Sequence, residues 1–142
     1  GSRNLLHMHG ELLKARCLKC GKVVEWAGDM SAQSPCPDCG PKPGAGKGAI
    51  GYIRPHIVWF EEMPLYMDEI EQALAQCDTF VSIGTSGNVY PAAGFAARAG
   101  AAGAKVVEIN MEPSASAHHF HEGHYGPATR MVPEWVNLVL GR

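Results

Sequence analysis

Four cysteines in two closely spaced pairs constrain this chain of 142 residues more than any other feature. Cys17 and Cys20 form one Cys-x-x-Cys pair, and Cys36 and Cys39 form a second pair further along. Zn²⁺ takes four thiolates in a tetrahedron, and each short turn supplies two of them from one side. The spacing therefore predicts a structural zinc site with no position left open for water or substrate. Two disulfides, or four unrelated buried thiols, are the alternatives.

Composition and charge exclude several classes of function. Hydrophobic residues make up 46% of the chain and charged residues 18%, which is an ordinary globular balance. The net charge of −2 and the scattered lysines and arginines give no support for a nucleic-acid binder held by bulk electrostatics. The sequence contains no apolar run of membrane-spanning length and no signal peptide. We therefore expect a cytoplasmic protein. The fifth cysteine, Cys77, is expected to be a small buried hydrophobic residue, with a redox role as the alternative.

The cysteine pairs lie in a segment that is interpreted as a zinc-binding module at residues 11–51. Short strands are predicted at residues 14–17 and 23–26, on either side of the first pair. Most of the remaining residues favour turns. Residues 41–51 are rich in glycine and proline and predict a flexible connector.

Two histidines precede this module. Residues 3–9 are interpreted as the end of a strand or a buried extended segment, in which His7 and His9 would share one face. Gly10 would let the backbone turn sharply directly after His9. A histidine in that place is suited to act as a general base, and a partly exposed histidine without a role is the alternative.

A strand, a glycine-rich turn, a helix and a second strand follow one another after residue 78. The strands are predicted at residues 79–84 and 105–109, and the alanine-rich helix at 92–102. This order predicts a βαβ unit with parallel strands, whose ligands sit beyond the carboxyl ends of the strands. Residues 84–87 and 110–112 lie at such ends, which favours a nucleotide site. Because the full G-x-G-x-x-G pattern is absent, a purely structural βαβ unit is the alternative.

The remaining segments complete the predicted architecture. Residues 52–60 form an apolar segment that ends as a strand, and residues 66–77 show helical spacing of apolar side chains. Residues 132–140 predict a closing helix with a proline near its first turn. A solvated loop is predicted at residues 114–127, with a second metal site as the alternative, because it contains four histidines: His118, His119, His121 and His124.

Taken together, these motifs resemble the C-terminal part of a sirtuin. The bacterial type near the desuccinylase branch is most similar, judging by Trp59-Phe60 and residues 90–93. The resemblance covers nearly the whole chain in the family's order. Besides the four-cysteine segment, the matching runs are residues 7–12, 54–60, 83–86, 89–94, 108–113 and 125–128.

The resemblance implies an α/β fold, in which a partial Rossmann-like parallel sheet carries an inserted small zinc-ribbon module. Residues 1–10 and 52–142 would form the NAD-binding domain. The implied activity is NAD-dependent deacylation of protein lysines, in which the acyl group passes to the ADP-ribose of NAD and nicotinamide is released. NAD and Zn²⁺ are the implied cofactors. The implied partner is an acyl-lysine protein or peptide, with no role for nucleic acid or membrane.

The resemblance also assigns roles to individual residues. His9 matches the catalytic base, which acts on a ribose hydroxyl. Val58, Trp59 and Phe60 match the strand that pairs with the acyl-lysine peptide through backbone hydrogen bonds. The implied zinc ligands are the four paired cysteines. The positions that match NAD contacts are Gly84, Thr85, Ser86, Asn110, Met111, Glu112 and Ala128.

The sequence departs from the family pattern in two ways. Glu61 stands where the family usually has glycine. The family's Gly-Ala-Gly-x-Ser and Gln-Asn-x-Asp segments, and the tyrosine and arginine of the desuccinylase branch, are not in this sequence. We therefore expect a fragment that is inactive alone, with a sheet edge open to a complementing N-terminal half or to self-association. A zinc-ribbon interaction module without catalysis is the alternative.

Overall fold

The computed structural model describes residues 2–31, 34–40 and 52–142. The chain divides into two compact units, Gly1–Met67 and Asp68–Arg142. The connector predicted at residues 41–51 lies outside the described residues, so the predicted boundaries of the zinc-binding module stay a prediction. No helix in the described ranges has both the length and the apolar character needed to cross a membrane.

The first unit contains a three-stranded antiparallel sheet in the order β2-β1-β3. The strands are β1 (Gly10–Cys17), β2 (Val23–Glu25) and β3 (Ile53–Ile57). Its small core has partly buried apolar neighbours, including Trp26 and Met30. The four buried residues of this core are Ala15, Cys17, Cys36 and Ile53. Two of them, Cys17 and Cys36, belong to the predicted metal site. The stability of this unit therefore depends on the state of its cysteines.

The strand predicted within residues 3–9 is wrong, because β1 begins only at Gly10. The Met8 N–H donates to the Leu6 carbonyl at 3.0 Å, and the Gly10 N–H donates to the His7 carbonyl at 2.8 Å. These local hydrogen bonds form turns, and among the described residues the backbone of this segment does not pair with a neighbouring strand as a β-strand would. Leu5 and Leu6 are accordingly exposed in this unit.

Gly10 lies where β1 meets β3, and its backbone requires glycine. Its φ is +84°, and a Cβ there would come within 1.9 Å of the His56 carbonyl oxygen. We expect Gly10→Ala to lower the free energy of unfolding by roughly 3 kcal/mol, because backbone atoms cannot move aside as side chains do. Chemical denaturation of the zinc-loaded chain measures this.

The matched control for that substitution is Gly21→Ala. Gly21 also has a positive φ, +74°, but no atom lies within 4 Å of its Cβ position. Only the cost of the left-handed conformation remains there, about 1 kcal/mol. Equal losses of stability in the Gly10 and Gly21 variants would contradict the proposed close contact.

The second unit contains a parallel sheet in the order β4-β5-β6. Its strands are β4 (Thr79–Ile83), β5 (Lys105–Asn110) and β6 (Glu122–Tyr125). Because β5 lies between the other two strands, it is the most deeply buried strand of this sheet. This confirms the predicted α/β class with a partial parallel sheet.

Three helices accompany this sheet: α1 (Met67–Gln76), α2 (Phe95–Ala101) and α3 (Ala128–Leu140). The helix predicted at 92–102 begins as a 3₁₀ turn at Ala92–Gly94. The start of the closing helix was predicted too late, since Pro133 lies inside α3. The Met131 N–H already donates to the Pro127 carbonyl, so the helix is established before the proline. Cys77 is half-buried, contrary to the burial expected for it.

The helices α2 and α3 cover opposite faces of β5. Gly100 of α2 lies against Val106, whose side-chain carbon would be 3.3 Å from a Cβ at that glycine. Val107 and Ile109 pack with Met131 of α3. Because successive strand residues point to opposite faces, the sheet is covered on both sides.

The strand β6 was not predicted, because the composition of residues 114–127, with four histidines, indicated a solvated loop. It pairs in parallel with β5, with His124 opposite Ile109. The His124 ring bonds the Glu122 carboxylate, and His121 Nδ1 accepts from the Val106 N–H at 3.0 Å. In the ranges that the structure describes, these histidines do not form a group that could hold a metal.

Candidate functional site

The four paired cysteines converge on one point of the first unit. Their sulfur atoms all lie within 4.8 Å of one another, with 3.3 Å between Cys17 and Cys39 and 3.8 Å between Cys20 and Cys36. Zn–S bonds of about 2.3 Å in a tetrahedron place sulfurs about 3.8 Å apart, so the residues fit zinc. All four cysteines are free thiols, which excludes the disulfide alternative in this structure.

Backbone hydrogen bonds shape both cysteine turns in the same way. The Gly21 N–H donates to the Cys17 carbonyl at 2.9 Å, and the Gly40 N–H donates to the Cys36 carbonyl at 2.8 Å. Burial opposes ionisation of the Cys17 thiol, but the N–H groups of Cys20 and Lys19 lower its pKa to about 6. Since the thiolate is the form that binds metal, Cys17 is prepared for a ligand role.

A polar cleft of about 390 Å³ opens in the second unit where β4 and β5 end. Asn110 ties the two strand ends together, because its Nδ2 donates to the Thr85 carbonyl at 2.7 Å. Its Oδ1 accepts from the Met111 N–H at 2.9 Å. All the predicted NAD-contacting positions line the cleft except Ala128, which begins α3. The lining residues are Gly84, Thr85, Ser86, Asn88, Asn110, Met111, Glu112, Pro113, Ser114 and Ala115.

The turn after β4 depends on two glycines with positive φ, Gly84 at +64° and Gly87 at +69°. A Cβ on Gly87 would lie 2.3 Å from Ser116 Oγ. The Ala115 N–H donates to the Ser86 carbonyl at 3.2 Å, which joins this turn to the far wall of the cleft. Glycine is therefore required at position 87 both by the positive φ and by the close approach of Ser116.

A buried carboxylate beneath the cleft was missed by the sequence reasoning. Glu108 is 1% exposed, and it accepts hydrogen bonds from the Ser114 N–H at 3.2 Å and the Tyr125 hydroxyl at 3.1 Å. Burial, together with the bond to Glu108, raises the pKa of Tyr125. A single glutamate among the apolar residues in the middle of β5 was the signal that could have identified it.

His9 lies in the first unit, directly before β1. Its carbonyl accepts the Val58 N–H at 3.0 Å, so the structure brings the predicted catalytic base beside the predicted substrate strand. The His9 side chain is exposed and makes no polar contact with the residues described. His7 differs, because its Nε2 lies 3.5 Å from a Glu11 oxygen. Of the two histidines, His9 is the one whose ring remains free to meet a ligand.

The segment after β3 presents two large aromatic side chains. Trp59 is 53% exposed and Phe60 is 92% exposed. A turn follows, closed by the Glu62 N–H donating to the Trp59 carbonyl at 3.2 Å. Glu61 occupies that turn with φ +70°, a conformation that favours glycine.

Because of this conformation, we expect Glu61→Gly to be more stable than Glu61→Ala by about 1 kcal/mol. Both variants remove the carboxylate, and only glycine removes the Cβ that opposes a positive φ. Urea denaturation of the two proteins side by side measures the difference. An alanine variant as stable as the glycine variant would contradict the strain at this position.

The parallel sheet, with helices on both faces and a polar cleft at its strand ends, defines an α/β protein of the nucleotide-binding type. The four-cysteine cluster adds a site whose residues fit zinc of the structural type. The family model of the Sir2 family matches residues 1–91. The chain belongs to the Sir2 family.

Similar proteins agree with this placement. The chain is 54% identical over 140 residues to an NAD-dependent protein deacylase of Pasteurella multocida, covering 99% of this chain and 56% of that protein. It is 54% identical over 141 residues to the NAD-dependent protein deacylase SIR2rp3 of Leishmania major, covering 99% and 55%. The chain thus spans about half the length of the curated relatives it matches.

Solved structures show the same fold. A Sir2 homologue in complex with NAD has a TM-score of 0.81 and 28% identity, with 99% of this chain and 53% of that chain covered. Sir2Af2 bound to a myristoylated histone peptide has a TM-score of 0.71 and 28% identity, with 99% and 60% covered. The predicted resemblance to a sirtuin is confirmed.

Proposed function

We propose that this chain supplies the catalytic histidine, the substrate strand and part of the cofactor site of an NAD-dependent protein-lysine deacylase. The observation that carries the proposal is the cleft at the ends of β4 and β5, which the hydrogen bond from Asn110 to Thr85 holds together. It lies at the ends of parallel strands, where such folds bind nucleotides. Relatives named as NAD-dependent protein deacylases match 99% of this chain.

The lining of the cleft suits part of a dinucleotide. The turn at residues 84–86 offers the backbone N–H groups of Thr85 and Ser86 and two hydroxyls to a phosphate or ribose. Asn110 and Glu112 offer hydrogen-bonding groups to ribose hydroxyls. Ala128 is proposed to lie beside the adenine. When bound, NAD supplies the nicotinamide leaving group and the ribose carbon that the acyl oxygen attacks.

The residues of the first unit are proposed to act on the substrate. His9 takes a proton from a ribose hydroxyl as general base, and its exposed, unpartnered ring among the described residues suits that role. Residues 58–60 receive the acyl-lysine peptide as an added strand, and the exposed Trp59 and Phe60 offer it apolar surface. Zinc at the four cysteines is structural, because four sulfurs fill its coordination shell.

We propose acetyl-lysine and succinyl-lysine as the acyl substrates. Support comes from Trp59-Phe60 and residues 90–93, which resemble the bacterial sirtuins near the desuccinylase branch. A cytoplasmic location is part of the proposal, because cysteines arranged for a metal fit a reducing compartment.

The chain alone is proposed to bind NAD weakly and to turn over little or nothing. In the described part of the chain β4 pairs only with β5, and Ile83 at its end is 49% exposed. An unpaired strand edge of this kind accepts another strand. A complementing N-terminal segment is the proposed partner at this edge, and self-association is the alternative.

The test joins this chain in frame behind the N-terminal part of the Pasteurella multocida relative, giving what we call the joined enzyme. The expected result is NAD-dependent loss of acetyl or succinyl groups from lysine peptides, with release of nicotinamide. The 142-residue chain alone should show at most traces of this activity. A joined enzyme that folds, binds zinc and leaves both peptides unchanged would overturn the proposed activity, and would favour a zinc-ribbon interaction module.

A further inference from the structure

A cluster of charged side chains surrounds the turn that follows β3, and the proposed mechanism does not use it. Arg16 of β1 and Arg54 of β3 lie directly opposite each other in the ladder. Like charges in such positions repel. The Glu62 carboxylate joins them, since it bonds Arg54 through both oxygens and lies 3.4 Å from Arg16 Nη2. The carboxylate thus offsets the repulsion that the two strands create.

The same carboxylate also binds the backbone of the substrate strand. Glu62 Oε2 accepts the Trp59 N–H at 3.0 Å. That bond and those from Arg54 hold the pKa of Glu62 below its usual range. The carboxylate therefore remains ionised near neutral pH, and its hydrogen bonds are of the stronger, charge-assisted kind.

Arg54 reaches the strand by two further contacts. Its Nη2 donates to the Ile57 carbonyl at 3.4 Å, and its guanidinium carbon lies 5.9 Å from the centre of the Trp59 ring. The second distance is within the range of a cation–π contact. The side chains of Arg54 and Arg16 are only 20% and 21% exposed, so solvent competes little for these contacts.

We propose that Glu62 and Arg54 are positioning residues for the acyl-lysine peptide, holding residues 58–60 in the conformation that receives it. The inference rests on the proposed function. A strand fixed before binding loses less conformational entropy when the peptide pairs with it. Arg16 supports the arrangement from β1, so the strand is anchored to the first unit's sheet by charge as well as by backbone pairing.

Glu62→Gln in the joined enzyme tests this role. Glutamine keeps the shape and removes the charge, so we expect the KM for an acetyl-lysine peptide to rise about tenfold, while the KM for NAD changes less than about twofold. Amide hydrogen exchange at residues 58–62 of the 142-residue chain should become about tenfold faster. A residue that only stabilised the fold would not change the peptide KM selectively.

The neighbouring residue provides the matched control. Glu61→Gln removes the same charge from the same turn, but Glu61 makes no polar contact with the described residues. Glu61→Gln should change neither the KM for the peptide nor the rate of amide exchange at residues 58–62. Arg54→Lys keeps the charge and loses the two-pronged bond and the ring contact, so it should act like Glu62→Gln. If Glu62→Gln lowers the melting temperature too far for kinetic measurements, the peptide KM of the Arg54→Lys variant tests the inference instead.

Two results would overturn the inference. One is an unchanged peptide KM in both variants, and the other is an equal rise in the KM for peptide and for NAD. Absence of turnover in the joined enzyme is a different result. It would contradict the proposed deacylase function, and with it any role of Glu62 and Arg54 in binding the peptide. Hydrogen exchange separates the two cases. If exchange at residues 58–62 is unchanged in the variants, Glu62 and Arg54 do not hold these residues in place, whatever the activity of the joined enzyme.

Discussion

Serine at both Cys17 and Cys20 is expected to abolish zinc binding and unfold the first unit, while the parallel sheet of the second unit persists. Cys17 belongs to a buried core with few other members, and the sulfur cluster joins segments distant in sequence. Structural zinc in small peptides contributes about 10–16 kcal/mol of binding free energy, which such a core cannot replace. Metal analysis and residue-level hydrogen exchange measure both effects.

The fifth cysteine provides the control for this experiment. Cys77 follows α1, where its thiol lies 3.6 Å from the Leu74 carbonyl, and it is not part of the cluster. Cys77→Ser should retain one zinc per chain and the protection of β1. If the double variant lacks zinc and still protects β1 and β3 from exchange, the structural role of the metal is wrong.

His9→Ala in the joined enzyme is expected to lower kcat about 10²- to 10⁴-fold, the usual contribution of a general base. The effect should fall on the rate and leave zinc content unchanged, because the ring makes no polar contact with the described residues. Steady-state kinetics with an acetyl-lysine peptide measures it.

His7→Ala is the matched control, since His7 is the other histidine before β1 and pairs with Glu11. We expect its kcat to remain within about threefold of the parent, as for a substitution away from the reacting atoms. Similar losses of rate in the two variants would show that the segment, and not the His9 imidazole, is what matters.

The sequence was informative where the determining interactions are local. Cysteine spacing predicted the sulfur cluster, and the order of strand, glycine turn, helix and strand predicted the parallel pairing of β4 with β5. Both patterns follow from chain geometry over short distances. The cleft at the ends of these strands follows from the same rule.

The sequence failed where distant partners decide the structure. The strand β6 forms because β5 pairs with it, although its glutamate, glycine and histidine resemble a solvated loop. The Arg16–Glu62 ion pair joins residues 46 positions apart, so no local pattern indicates it. The apolar residues before His9 favoured a strand, but turns formed by their own backbone took precedence.

A calorimetric titration of NAD tests the cofactor site most directly. NAD is titrated into the zinc-loaded chain alone and into the same chain mixed with the N-terminal part of the Pasteurella multocida relative. The account predicts weak binding to the chain, tight binding to the mixture, and loss of both when Asn110→Ala releases the strand ends. If NAD binds neither preparation while zinc is present at one per chain, the cleft is not a cofactor site.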